Sequence, residues 1–273
     1  MAEQNPFNIR EKVIVITGGG GVLGGNMAHH LAEQGAKIAL LDLRADLAIA
    51  KAEEITAKGG KAIGLAANVL EEESLQAALK SIIQKFGNVD VLINAAGGNM
   101  PGATIGPDQT IFDLSIDAFQ KVSELNLNGT VLPSLVFGKH MSERKAGVII
   151  NISSMTAQRA ISRVVGYSAA KAAIDNYTKW LACELALKFG DGLRVNAIAP
   201  GFFIGDQNRR LLLEEDGSLT PRGATIVKQT PMGRFGEAAE LNGTIHWLAS
   251  EASKFVTGIV VPIDGGFSAY SGI

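Results

Sequence analysis

Short runs of apolar residues alternate with longer amphipathic stretches along the chain. The runs cover residues 13–17, 37–42, 62–66, 89–94, 147–152, 194–199 and 258–263. Strands buried on both faces read as continuous apolar segments of this kind, without a polar residue at every second place. Between the first runs lie residues 23–34, 46–58 and 71–86, where apolar side chains recur at helical spacing. Leu75, Ala78, Leu79, Ile82 and Ile83 form one such stripe. Gly35, Gly59 with Gly60, and Gly87 follow directly, where those helices must stop. This βαβαβ rhythm predicts an α/β fold with a doubly wound parallel sheet of seven strands and helices on both faces.

No Pro- or Ser-rich linker and no repeat divides the chain, so residues 1–273 read as a single domain of Rossmann type. The rhythm breaks at residues 201–231, a polar stretch with Asp216-Gly217 and with Arg209, Arg210 and Arg222. A long irregular insertion of that kind reads as a substrate-binding lid. The 25 basic and 27 acidic residues leave a net charge of -2. That balance argues against a nucleic-acid or anionic-membrane partner, which calls for a basic patch. Glycine stands out, with 32 of 273 residues. With no Gly-X-Y period, the glycines must serve particular backbone positions. The lone Cys183 excludes an internal disulfide framework and fits a reducing compartment. Residues 1–12 are polar and lack a secretory pattern, and the apolar runs are far too short to span a bilayer. The expectation is a soluble, cytoplasmic protein.

Thr17-Gly18-Gly19-Gly20-Gly21-Val22-Leu23-Gly24-Gly25 follows the first strand and opens the first helix. Glycine permits positive φ and close backbone approach, and a helix start offers free N–H groups and the positive end of its dipole. Together these make a pyrophosphate cradle, although any tight strand–helix turn also uses glycine. Asp42 ends the second strand, where a carboxylate accepts both ribose hydroxyls and repels a 2′-phosphate. NAD is therefore favoured over NADP, with Arg44 two residues later pulling the other way.

Tyr167 and Lys171 stand four residues apart and share a helix face. An ammonium beside a phenol favours the phenolate, which predicts a lowered Tyr167 pKa and a role in moving a proton to or from an oxygen. The bland alternative is a half-buried helix with an exposed lysine. Asn151-Ile152-Ser153-Ser154 ends the fifth strand, where ligands of open α/β sheets bind; paired serines also serve as plain turn or cap residues.

In order and spacing these residues resemble the short-chain dehydrogenase/reductase family over essentially the full chain. The resemblance adds Asn94-Ala95-Ala96-Gly97, Asn126, Pro200-Gly201 and Asp264-Gly265-Gly266 to the glycine loop, Ser154, Tyr167 and Lys171. It implies that Tyr167 is the general acid/base and that Lys171 lowers its pKa and holds the nicotinamide ribose. It implies further that Ser154 polarises the substrate carbonyl, that Asn126 supports a proton-relaying water, and that Ser153 supports its neighbours. Thr17, Gly18, Gly21, Val22, Leu23 and Gly24 would cradle the cofactor. Asn94, Ala95 and Gly97 would flank the adenosine ribose, and Pro200, Gly201 and Phe203 would line the nicotinamide. Three positions depart from the family pattern: Val22 replaces a loop glycine, Asn68 before Val69 replaces the acidic residue at adenine, and Gly205 replaces a threonine.

Within the family, residues 96–101, 207–212, 230–236 and 264–272 resemble the sugar-acid group of D-mannonate oxidoreductases (fructuronate reductases) and gluconate dehydrogenases. A hexonate calls for a cation and several hydrogen-bonding groups. Asn99, Ser154, Gln158, Arg159, Arg209 and Arg222 are the candidates, against the alternative that any one arginine is a surface or subunit-contact residue. Arg234 reads as structural. The expectation is an NAD-dependent enzyme interconverting a keto-hexonate and its alcohol. A 3-oxoacyl-thioester reductase and a non-catalytic dinucleotide-binding regulator stand as alternatives. His29, His30, His140 and His246 lack metal-ligand spacing, and Trp180 and Trp247 read as core or subunit-interface residues. The resemblance also implies a homotetramer packed through the long helices and the last strand.

Overall fold

The computed structural model describes residues 5–100, 102–205 and 208–272. The chain begins β1 (Val13–Thr17), α1 (Val22–Glu33), β2 (Lys37–Asp42), α2 (Ala45–Ala57), β3 (Lys61–Ala66), α3 (Glu72–Phe86) and β4 (Val91–Asn94). It continues with α4 (Ile116–Ser123), α5 (Gly129–Arg144), β5 (Gly147–Ile152), α6 (Val165–Phe189) and β6 (Leu193–Pro200). Then come α7 (Arg209–Leu212), α8 (Pro221–Gln229), α9 (Asn242–Ala249) and β7 (Val260–Ile263). The strands form one parallel sheet in the order β3-β2-β1-β4-β5-β6-β7. The order reverses between β1 and β4, so the connections leaving these two strands diverge and open a crevice at the carboxyl edge.

The continuous apolar runs have a simple cause. Ile14, Ile16, Ile38, Leu40, Ile93 and Ile150 face one layer, against Met27 and Leu31 of α1, Ile55 of α2 and Leu248 of α9. Their neighbours Val13, Val15, Ala39, Leu41, Leu92 and Ile149 face the other, against Leu75 and Ile82 of α3, Phe137 and Met141 of α5, and Leu181 of α6. Both faces of β1, β2, β4, β5 and β6 are covered, so neither set of alternate positions faces water, whereas the edge strands β3 and β7 are only partly buried.

Element boundaries shift by a residue or two. β4 starts at Val91 because Asp90 uses its carboxylate to accept the Val13 N–H at 2.8 Å, and β7 starts at Val260. The expected irregular insertion at residues 201–231 carries two short helices, α7 and α8, within otherwise irregular chain. Thr220 caps α8, its hydroxyl accepting from the Gly223 N–H at 3.0 Å, Pro221 sits in the first turn, and Leu212 and Ile226 are buried. Residues 206 and 207, inside this insertion, lie outside the described residues, as does Pro101 of the earlier motif. Between α4 and α5 a π-helical turn at Glu124–Asn128 carries Asn126. Among the described residues no helix is long and apolar enough to cross a membrane.

Candidate active site

The glycine loop is shaped by contacts no side chain would survive. Gly18 has φ +63°, and a β-carbon there would stand 2.8 Å from Ala96 Cα. One at Gly24 would stand 2.5 Å from the Gly18 carbonyl oxygen. Thr17 is buried and its hydroxyl accepts the N–H groups of Ala95 and Ala96 at 3.1 Å each, tying the loop after β1 to the loop after β4. Gly21 caps α1 without a side-chain partner, which leaves the first-turn N–H groups of Val22, Leu23 and Gly24 free for an anion. Because Gly21 takes the cap, the first helical position holds Val22 with its side chain exposed, so glycine is not required there. The Asp42 carboxylate ends β2 and accepts from the N–H groups of Gly20 and Arg44, both at 3.0 Å.

Other residues expected at the nucleotide also make contacts within the protein, although the buried Asn94 Oδ1 has no partner among the described residues. The Asn94 amide donates to Ser134 Oγ and to Asn151 Oδ1, both at 2.9 Å, and Asn151 donates onward to Thr178. Asn94 is therefore a buried tie between β4, β5 and the helices above them. Asn68 turns its amide onto Glu71 and the Leu70 N–H, and Val69 packs against Gly129 of α5. Pro200 is buried at the end of β6, Gly201 passes so close to Asp264 that a β-carbon would lie 2.7 Å from its Cα, and the Phe203 ring packs beneath Gly236.

Ser154, Tyr167, Lys171 and Asn126 are drawn together at the carboxyl ends of β4 and β5. Ser154 is buried just beyond β5. Lys171 on α6 is buried too, donating to the Ile152 carbonyl at 2.7 Å, with its ammonium 5.4 Å from the centroid of the Tyr167 ring. Asn126 is locked by its amide to the carbonyls of Gly98 (2.7 Å) and Val122 (2.8 Å) and accepts the Gly98 N–H at 3.1 Å. A β-carbon on Gly97 would meet Asn126 Oδ1 at 2.7 Å and Lys171 Nζ at 3.6 Å, so glycine is what lets this loop lie against the lysine. The surroundings of the Tyr167 hydroxyl act against the lowering expected from the nearby ammonium. Burial pushes its pKa up, and a hydrogen bond with Ser154 pulls the other way. Burial also pushes Lys171 down to about 8, against an opposing pull from Asp175. The ammonium is held by the Ile152 carbonyl beside the Tyr167 ring.

The expected substrate residues separate. Arg159 donates from Nε to the Ser268 carbonyl at 2.7 Å and reaches the Tyr270 carbonyl at 3.4 Å, so it clamps the tail. Gln158 lines a surface cavity with Asp175, Asn176, Lys179 and Val260, a cavity that neither Ser154 nor Tyr167 lines. Asn99 donates to Thr104 at 2.7 Å while its carbonyl oxygen is buried without a partner. Arg209 is exposed on α7. Arg222 on α8 reaches Ser162 Oγ at 3.3 Å, in the segment that leads into Tyr167. Arg234 forms an ion pair with Glu240 at 2.6 Å, as a structural residue should.

A family model described as enoyl-(acyl carrier protein) reductase matches residues 21–268. The chain is 48% identical to the uncharacterized oxidoreductase UxuB of Bacillus subtilis over 97% of this chain and 98% of the relative. The chain belongs to the short-chain dehydrogenase/reductase family. A crystal structure of a Haemophilus influenzae protein, provisionally assigned as a D-mannonate oxidoreductase and holding NAD, aligns with TM-score 0.91 at 46% identity, covering 97% of this chain and 98% of that one. A gluconate 5-dehydrogenase from Burkholderia cenocepacia, in complex with NADP and tartrate, aligns with TM-score 0.86 at 30% identity over 97% and 98%.

This short-chain oxidoreductase acts on hydroxyl groups with a nicotinamide cofactor, and the crevice fits one. A β-carbon at Gly18 or Gly24 would fill the cradle, free helix N–H groups meet it, and Asp42 stands at the ribose end. Two features carried no motif signal. Asp175 accepts from the hydroxyl of Ser153, which also lies 3.4 Å from the Lys171 carbonyl. Arg163, only four residues before Tyr167, holds φ +78° and lies near Arg222. Its place beside a motif residue was the one available clue.

Proposed function

We propose that this chain is an NAD-dependent oxidoreductase that interconverts a keto-hexonate and its alcohol, of the D-fructuronate and D-mannonate type. The observation that carries the reading is the convergence of Ser154, Tyr167, Lys171 and Asn126 at the carboxyl edge. The substrate class is supported by 46% identity to the Haemophilus protein, and the cofactor by its NAD together with Asp42 here. In this reading Ser154 donates a hydrogen bond to the substrate oxygen. Tyr167 gives its proton to that oxygen in reduction and takes one in oxidation. The nicotinamide, when bound, supplies or accepts the hydride. Lys171, fixed by the Ile152 carbonyl, keeps a positive charge beside the phenol near neutral pH. Because burial pushes Tyr167 up, the phenol holds its proton at neutral pH, which suits reduction, and oxidation quickens as pH rises.

Steady-state assays with NAD and NADP against D-mannonate, D-gluconate and D-fructuronate, with a 3-oxoacyl thioester as control, test this. Hexonate turnover with NAD preferred is the expected result. Thioester turnover with none on any sugar acid overturns it. Tyr167→Phe lowers kcat by about 10³-fold, since the aromatic ring remains and only the proton carrier is lost. The reading extends to a homotetramer, supported by Trp180 and Leu187 on α6, which are 60% and 82% exposed. Light scattering after size exclusion measures the assembly directly.

A further inference from the structure

We propose that Arg163 and Arg222 together form the anion pocket that receives the carboxylate of the substrate. This rests on the sugar-acid reading above and names the part of the site that reading leaves without a cation.

Of the ten arginines, only Arg163, Arg194 and Arg222 are not exposed. Arg194 is fully occupied, donating to Ser253 Oγ at 2.9 Å and to the carbonyls of Leu248 and Ser250 at 3.0 Å. Among the described residues Arg222 has a single hydrogen-bond partner, a hydroxyl at 3.3 Å. The Arg163 side chain has none among the described residues. Neither lies within 4.0 Å of an Asp or Glu among those residues, while Arg144 and Arg234 each have such a partner. The two guanidiniums are instead close enough for the charge of Arg163 to oppose that of Arg222. Half-burying two like charges is costly unless an anion sits between them, and a carboxylate is the planar acceptor that guanidinium forks fit.

The pocket is assembled from three segments around the crevice. Arg222 comes from α8 and Ser162 from the β5–α6 connection. The Arg163 carbonyl accepts the Ile105 N–H at 3.0 Å, which ties in the loop after β4. Arg163 holds φ +78°, a conformation costly for a long side chain and maintained here by those ties. It stands two residues before α6 and four before Tyr167, in the same short connection that leads to the proton carrier.

The test compares wild type with Arg222→Gln, Arg222→Lys and Arg163→Asn, asparagine being chosen because it tolerates positive φ. Kinetics are measured on the hexonate with the best turnover and on its alditol, which lacks the carboxylate. NADH affinity and melting temperature report folding. The expected result is a KM for the hexonate raised at least about 10-fold in Arg222→Gln and Arg163→Asn, with kcat changed less than about threefold. NADH affinity and alditol kinetics stay at wild-type values, and Arg222→Lys recovers part of the loss. Hexonate KM values within about twofold of wild type, in variants that still bind NADH, overturn the pocket and leave the sugar-acid reading standing. Wild-type turnover of alditols but of no hexonate overturns both. Should Arg163→Asn fail to fold, the Arg222 pair alone decides.

Discussion

On the nucleotide side of the crevice the shape is made of backbone. Gly18, Gly24 and Gly97 stand where any β-carbon would strike a carbonyl, a Cα or a fixed amide, and Thr17 locks two loops through N–H groups. On the proposed substrate side it is made of side chains. Arg222 of α8 meets Ser162 and its neighbour Arg163 in the β5–α6 connection, 60 residues away in sequence. A surface built from backbone tolerates almost no substitution, whereas one built from side chains can change specificity at small cost to the fold. The contrast explains how one sheet supports many substrates with one cofactor.

The sharpest way to break the comparison is to put a side chain into the backbone-built half. In Gly24→Val the new β-carbon lies 2.5 Å from the Gly18 carbonyl, a rigid neighbour that cannot yield. NADH affinity, followed by fluorescence titration, should fall by about 100-fold or more, which is about 3 kcal/mol. An enlargement at exposed Val22, Val22→Ile, should leave affinity within about twofold, because that position opens the helix from outside the contact. Comparable losses at both positions would mean that the cradle is not set by the Gly18–Gly24 approach.

The same contrast explains what could be read from the chain alone. Strands, sheet and glycine loop were legible because each follows from local pattern: dry faces on both sides of a strand, and glycine at a turn. The Tyr167–Lys171 pair was legible because helical spacing puts both side chains on one face. The substrate residues were not. Arg159 looked like a free cation beside the site, yet the tail folds back and its carbonyls occupy the guanidinium. Asn94 looked like a nucleotide contact, yet its amide holds β4 to β5. In each case the partner is more than 50 residues away in sequence, and no local pattern encodes it. For Tyr167, spacing predicts a nearby ammonium, while only the fold shows that burial of the phenol pushes its pKa the other way.

Lys171 lies where the two halves meet, and its burial has a measurable consequence for stability. Its pKa falls from the ordinary 10.5 to about 8, so between these values the unfolded chain binds the proton more tightly than the folded one. Stability then rises with pH across that window, and below about pH 8 the full penalty applies. Lys171→Met removes the titration along with the activity. Relative to this variant, wild type should gain about 2 to 3 kcal/mol between pH 7 and pH 10, as measured by urea unfolding at each pH. A difference that stays flat with pH would show that the ammonium is well solvated in the folded protein.

Arg159 provides the smallest effect and the cleanest control for the substrate side. Its guanidinium is occupied by the tail carbonyls of Ser268 and Tyr270, at the exposed edge of the molecule. Arg159→Ala frees those carbonyls to bind water, so only about 1 kcal/mol is lost, equivalent to a melting temperature lower by about 2 to 4 °C. The KM for a hexonate should stay within about twofold of wild type, in contrast to the larger rise expected at Arg222. An Arg159→Ala variant with a KM raised as far as that of Arg222→Gln would mean that the tail, held by Arg159, forms part of the substrate wall. The boundary between structural and recognition arginines would then run on the other side of residue 159.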